Sequence, residues 1–337
     1  MATDSTHEKM ELLKTLCQIH APSGDERLLT NFLIEYIQKE KFHWKKTPEV
    51  YYGDDFQECI VLVFGKPRTA IFAHIDTVGF TVRYDNELVK IGKAAIKKGI
   101  RLKGKDSIGE ISCEMKIVKV PPQKPKHLSL WKWWLKRLTK EVQAKPKPFA
   151  DFSRLIERGT TLTYDAPFLE KDDFITSCYL DNRLGVWVAL EIAKELEEGI
   201  ICFSCNEEQS GGTVPFLAKF IYEKYGVRQA LIADISWITA GILPGKGAVI
   251  SYRDNEMPRQ AFIRKIVSLV EEAKLPYQRE VEDAGSSDGR ELQAAPYPFD
   301  WCFIGAPEDN VHTPEETVHK KDIQSMLEIY RLLMKKL

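Results

Sequence analysis

Five apolar stretches of this chain run into a side chain that can bind a metal ion. His74-Ile75-Asp76 follows Thr69–Ala73, and Asp181 follows Ser177-Cys178-Tyr179-Leu180. Glu207-Glu208 follows Ile200–Cys205, Asp234 sits in Leu231-Ile232-Ala233-Asp234-Ile235, and His312 comes just past Trp301–Gly305. Short apolar runs of this kind read as buried strands of an α/β sheet. Placing Glu207 and Glu208 side by side at the end of one is costly, because two anions repel and both leave water. A bound cation, or work as base and ligand, offsets that cost. In an open α/β sheet, ligands bind at the carboxyl ends of strands. The five places are therefore expected to meet in one crevice. Two imidazoles and several carboxylates suit zinc where thiolates are absent.

Each signal is weak alone. An H-x-D match is common, an Asp at a helix start such as Asp181 is often a cap, and His312 and His319 both suit a surface. Cys202 and Cys205 form a C-x-x-C match, but residues three apart on a strand face opposite sides, so they read as core.

The remaining pattern defines the fold class. Helical spacing appears in Met10–Cys17, Leu28–Ile37, Asn182–Glu198, Val214–Tyr225, Arg259–Ala273 and Ile323–Leu333, with Ala21-Pro22-Ser23-Gly24 as a turn and Gly199 as a stop. These alternate with strands at Ile60–Phe64, Thr69–Ala73, Ile200–Cys205, Ala230–Ile235 and Trp301–Gly305. The expected class is α/β, a mixed sheet covered by helices on both faces. The stretch from Arg83 to Phe174 differs: short strands at Leu88–Ile91, Ile100–Lys103, Glu110–Val120 and Thr160–Tyr164 are separated by Gly and Lys. It predicts an inserted small β-barrel-like domain at 83–174, flanked by a catalytic domain in two parts, 1–82 and 175–337. Within it, Leu130-Trp131-Lys132-Trp133-Trp134-Leu135 suits a subunit contact or packing under a lid, since Trp favours interfaces, ahead of a basic, aromatic membrane-surface segment.

A net charge of −1 over 337 residues gives no global field toward nucleic acid or membranes. No run reaches the ~18 apolar residues of a membrane span. The polar start has no apolar signal core, and seven irregularly spaced cysteines suggest no disulfide framework. A cytoplasmic protein is expected.

The order H-x-D (His74, Asp76), L-D-N-R-x-G (Leu180–Gly185), E-E (Glu207-Glu208), an Asp (Asp234) and H-[ST]-P (His312-Thr313-Pro314) resembles the dinuclear zinc aminopeptidases of the M42 family, which include glutamyl aminopeptidases and endoglucanase-M-like proteins. Ala21-Pro22-Ser23-Gly24-Asp25-Glu26 resembles that family's A-P-S-G motif. The resemblance spans the chain and is sparse between Pro121 and Ser153. It implies a zinc-exopeptidase (phosphorylase/hydrolase-like) fold. It also implies two divalent ions per subunit, Zn²⁺ first and Co²⁺ as the alternative. His74 and Asp234 would serve one ion, Glu208 and His312 the other, and Asp181 both. Asp76 would hold His74 in its tautomer. Glu207 would be the general base toward the attacking water. Two such ions against Asp181, Glu208 and Asp234 leave a single positive charge, which suits an anionic intermediate. The implied substrates are short peptides, with a homo-oligomer assembled through the inserted domain.

M20 deacylases and dipeptidases share nearly this ligand order. Here 105 positions separate Asp76 from Asp181 and only 26 separate Glu208 from Asp234, so the insertion precedes Asp181, as in M42. Two segments depart from the M42 pattern. Gly285-Ser286-Ser287-Asp288-Gly289 replaces a T-D-A-G-like segment, and Gln209-Ser210-Gly211-Gly212 replaces V-G-x-R-G. Both bear on specificity, for which Arg253, Arg259 and Arg290 are the candidate cations. A catalytically silent protein on the same scaffold is the competing class, and an intact Glu207 argues against it.

Overall fold

The computed structural model describes residues 2–120, 129, 131, 145–209 and 211–337. Apart from Trp131, the Trp131–Trp134 cluster lies outside the described residues. The chain divides into two compact units, one of Met1–Val78, Ile91–Lys93 and Ala166–Leu337, the other of Gly79–Lys90 and Ala94–Asp165.

The first unit is built on an 11-stranded mixed sheet. Its order runs Glu49–Gly53, Gln57–Phe64, Gly199–Ser204, Thr69–His74, Gln229–Trp237, Asp300–Asp309, Glu316–His319, Phe174–Ser177, Leu169–Lys171. Ala248–Arg253 pairs with Asp300–Asp309 and Tyr277–Val281 off this path. The four strands Gly199–Ser204, Thr69–His74, Gln229–Trp237 and Asp300–Asp309 are mutually parallel. Thr69–His74 and Gly199–Ser204 are buried at every residue, so both sheet faces are covered, which is why their sequences are continuous rather than alternating apolar runs.

The helix Leu180–Ala193 is buried along its whole length, packed against the sheet and against the helices Ala2–Gln18 and Lys320–Lys336. It ends at Ala193, short of the expected Glu198, where the chain turns polar ahead of Gly199. Gly185 explains part of its sequence. A Cβ there would lie 2.1 Å from the Ala233 carbonyl oxygen, so only glycine lets the helix approach the strand Gln229–Trp237 this closely. Arg183 is fully buried and donates to the carbonyls of Leu16 and Ile19 at the end of the first helix and of Ile75 just past the strand of His74, joining the two.

The second unit is an antiparallel sheet of Leu88–Ile91, Gly79–Val82, Thr161–Tyr164, Arg101–Asp106, Gly109–Val120 and Lys145–Asp151 in that order. A bridge between Glu87 and Phe149 brings the last strand back beside the first, giving a nearly closed barrel. Ile111, Cys113 and Met115 alternate inward along Gly109–Val120, as a half-buried strand requires. The strand pair Leu169–Lys171 and Phe174–Ser177 belongs to the large sheet, although the sequence reading carries the insertion to 174. Leu169–Lys171 is exposed throughout, so its pattern holds no sign of which sheet it joins.

Candidate active site

The four parallel strands send their carboxyl ends to one side. Ser204 lies opposite His74, and Asp234 opposite Gly305. His74 is the last residue of its strand, Glu207 and Glu208 leave just past Ser204, and His312 lies three residues past Asp309. Asp234 is not at a strand end: its strand continues through Ile235 and Ser236 to Trp237. Asp181 does not follow an apolar strand directly. The strand stops at Ser177, and Tyr179 turns the chain in a left-handed conformation, φ 68°, before the helix.

These ends assemble two groups of donors that share one residue. His74, Asp181 and Asp234 form the first, and Asp181, Glu208 and His312 the second, with ligand atoms in each within 4.8 Å of one another. His74 Nε2 stands 3.3 Å from Asp181 Oδ1 and 3.5 Å from Asp234 Oδ2. His312 Nε2 stands 3.1 Å from Asp181 Oδ2 and 3.2 Å from Glu208 Oε2. Asp181 thus offers one oxygen to each histidine. Glu207 belongs to neither group, although it lines the same cavity as Glu208. The adjacent glutamates therefore differ in that only Glu208 joins the donors.

Local contacts fix the donors. The Asp76 carboxylate is fully buried and accepts the backbone N–H of Glu207 at 3.0 Å, the backbone N–H of Glu208 at 3.1 Å and the Ser23 hydroxyl at 2.6 Å. Toward His74 Nδ1, the Asp76 carbonyl oxygen lies at 3.2 Å and a carboxylate oxygen at 3.5 Å. Asn182 donates to the Ala233 carbonyl and accepts from Gly185 N–H, tying the Asp181 turn to the strand of Asp234. Glu26 accepts from Gly24 N–H at 3.0 Å and from Asn206 N–H at 3.3 Å, joining the A-P-S-G turn to the chain just before Glu207. Glu316 accepts from the N–H of both Asp181 and His312. The sequence reading passed over Ser23, Glu26, Asn182, Arg183 and Glu316 as functional residues. Ser23 donates to the Asp76 carboxylate and the others bond backbone groups, mostly distant in sequence, so the partners leave no local pattern. His319, read as a surface residue, is buried and caps the last helix by accepting from Lys321 N–H at 3.0 Å.

The electrostatics suit a cation. Burial pushes Glu208 up to about 7, helped by the charge of Asp181. Burial likewise lifts Glu207 well above the usual carboxylate range, reinforced by Glu208, Asp234 and Asp288 and opposed by His74. Burial works against a charged His312, but Asp181 and Glu208 hold it at about 11. Glu208 Oε1 is buried with no hydrogen-bond partner among the described residues. An orphaned carboxylate oxygen and three carboxylates with two imidazoles, in overlapping groups, form a donor set that a pair of divalent ions such as zinc fits.

A cavity of about 250 Å³ opens onto Asp181, Glu208, Asp234 and His312. Asp254, Glu280, Glu282, Asp288 and Glu291 line it along with Lys93 and Arg290. Asp254, Glu280 and Asp288 are buried, whereas Lys93 and Arg290 are exposed. Ser236, two residues beyond Asp234, donates to Glu280, and Ser204 donates to Asp288 at 2.5 Å. Among the other candidate cations, Arg259 pairs with Asp300 and Arg253 donates to the Asp254 carbonyl.

The fold is a mixed α/β one whose metal-competent side chains gather where its parallel strands end. A model of the M42 glutamyl aminopeptidase family matches residues 59–329. The chain belongs to that family and is an aminopeptidase; between the two families with this ligand order, the match falls on M42. It is 24% identical to a provisionally named aminopeptidase of Acetivibrio thermocellus, over 96% of this chain and 97% of that one. The fold is similar to that of aminopeptidase APDkam598 from Desulfurococcus kamchatkensis, with a TM-score of 0.79 and 19% identity over 98% of this chain and 95% of the other. It is also similar to the TET1 peptidase of Pyrococcus horikoshii, with a TM-score of 0.76 and 20% identity over 98% and 100%. Among the described residues, no helix is long and apolar enough to cross a membrane.

Proposed function

We propose that this aminopeptidase removes the first residue of short peptides at a centre for two divalent ions, zinc first and cobalt as the alternative. His74, Asp181 and Asp234 would hold one ion, and Asp181, Glu208 and His312 the other. When bound, the ions supply Lewis acidity to the scissile carbonyl and make a water easier to deprotonate. Glu207 takes the proton of the attacking water and returns it to the departing amine. Its burial favours both tasks, because a carboxylate with a raised affinity for protons is a stronger base. Asp76 sets the direction of Glu207 by holding the backbone on which it stands. The cavity takes the first side chain, and its small volume suits one residue.

The observation that carries this reading is the division of Asp181, one oxygen toward His74 and the other toward His312. A lone capping aspartate has no reason to face two histidines. The TET1 peptidase of P. horikoshii is described as assembling into a tetrahedron or an octahedral shell. In line with it, we infer a homo-oligomer assembled through the insertion, which would also limit substrate access.

Metal analysis of the purified, metal-replete chain tests the reading together with hydrolysis of a dipeptide and its N-acetylated form. Two ions per chain and cleavage of the free amine alone are expected. Cleavage of the blocked form would point to an amide deacylase. Absence of bound metal together with absence of cleavage would make the chain a silent member of its family.

A further inference from the structure

The loops of Asp181 and His312 come from strands that are not neighbours. Phe174–Ser177 carries the first and Asp300–Asp309 the second, and Glu316–His319 pairs between them. Glu316 opens that middle strand, opposite Ser177, and is fully buried. One of its carboxylate oxygens accepts Asp181 N–H at 3.3 Å, and the other accepts His312 N–H at 2.9 Å. We propose that Glu316 is a positioning residue that ties these two donors together, so that Asp181, Glu208 and His312 stand ready to take up the second ion. The proposal rests on the metal reading above.

Three observations support it. First, two N–H groups from chain segments 131 positions apart converge on one side chain. Only a carboxylate satisfies both, since a carboxamide has one acceptor and turns its NH₂ toward the other donor. Second, His312 has φ 64°, a left-handed conformation that a non-glycine residue keeps only when its surroundings fix it. Its N–H is fixed by Glu316. Third, the arrangement repeats that of Asp76 on the other side of the site, where one buried carboxylate accepts the N–H of Glu207 and of Glu208. The site is thus held by two carboxylate clamps, each gripping backbone. Glu308 is equally buried and stands near the same donors, yet among the described residues neither of its oxygens has a hydrogen-bond partner, so it has the charge of Glu316 without the clamp.

The test is stepwise Co²⁺ uptake by the full chain after metal removal, followed by equilibrium dialysis and by the visible spectrum of the bound ion. Wild type is expected to bind two ions. Glu316→Gln is expected to weaken the second ion by about 10–100-fold and the first by less, with a changed spectrum for the second step. Glu308→Gln, which removes a like buried charge without touching either N–H, is expected to weaken the second ion by less than Glu316→Gln does, and an equal loss would assign the effect to charge rather than to the clamp. A second-ion affinity of Glu316→Gln within about threefold of wild type would overturn the proposal, because supports of this kind are worth more. Should that variant fail to fold, amide exchange of the metal-free wild type decides. A His312 N–H protected from exchange supports the clamp, and exchange at an open-loop rate refutes it. If wild type binds no Co²⁺ at all, the metal reading fails, and the exchange measurement alone judges the clamp.

Discussion

Asp76 holds Glu207 by its backbone rather than by its side chain: Asp76 Oδ1 accepts the Glu207 N–H at 3.0 Å, and Glu207 is among the residues lining the cavity. Asp76 thus fixes where Glu207 stands and leaves its carboxylate free of that contact. The same residue reaches Glu208 and Ser23. Replacing it by alanine strips three donors of their acceptor in a buried place. Each such donor costs about 1–3 kcal/mol, so Asp76→Ala should lose about 3 kcal/mol or more in urea unfolding. A loss below about 1 kcal/mol would contradict these contacts.

Glu207→Gln keeps the shape of the side chain and removes its basicity. Turnover should fall by about 10²–10⁴-fold with metal content unchanged, as general-base removal does. A near-normal rate would reassign the base. Parallel loss of metal would place Glu207 among the ligands.

Gly185→Ala should be harmful although alanine is the better helix former. The new Cβ would meet the Ala233 carbonyl oxygen at 2.1 Å and Asn182 Oδ1 at 2.3 Å. The helix must move off the strand that carries Asp234, at about 1–3 kcal/mol or more for such overpacking. Thermal unfolding measures the stability, and hydrolysis rates report the shifted Asp181.

Acid should weaken the barrel-like unit through Asp106. Arg154 donates to both its oxygens, at 2.6 and 2.8 Å, and the N–H groups of Ile108 and Gly109 add to them. Arg154 first, then those amides, hold the Asp106 carboxyl far below its ordinary range. A carboxyl depressed in the folded state binds fewer protons there than in the unfolded chain. Its contribution is present above the ordinary value of about 4 and fades as pH falls below it. Arg154→Met should therefore lose more stability at pH 7 than at pH 3. Equal losses would show that the pair does not titrate with folding.

The cavity wall argues for a selectivity. Burial lifts Asp254 and Asp288 to about 7 and raises Glu280, so above about pH 7 the ionised carboxyls outweigh the exposed Lys93 and Arg290 and an acidic first residue meets like charge. On a panel of dipeptides, kcat/KM should be at least about tenfold higher for Lys first than for Glu first, since like-charge placement costs more than 1 kcal/mol. The reverse order would put Arg290 in control.

Much of the fold is legible along the chain. Thr69–His74, Gly199–Ser204 and Gln229–Trp237 show as apolar runs because they are buried on both faces, and Val214–Tyr225 shows by its helical period. Other strands are silent. Glu316–His319 is short and carries a buried acid and a buried histidine, and Tyr277–Val281 is mostly polar. The residues named by the motif order stand in the two donor groups, with Glu207 and Asp76 beside them. Of their supports, Glu26 and Arg183 stand inside motifs and Glu316 in none, and the role of each is hidden because each bonds backbone groups that any residue would offer.

The sequence by itself determined the alternation of strands and helices, the place of a second β-rich unit and the set of side chains available for metal. Those follow from periodicity and residue type, which are local. Tertiary structure alone decided that Asp181 turns one oxygen to each histidine, that Glu207 and Glu208 part company, and that Asp76 and Glu316 each clamp two backbone groups. The reason is physical: a side chain's direction and a carboxylate's partners are set by which strand ends lie side by side, and that pairing is made across more than a hundred residues of chain.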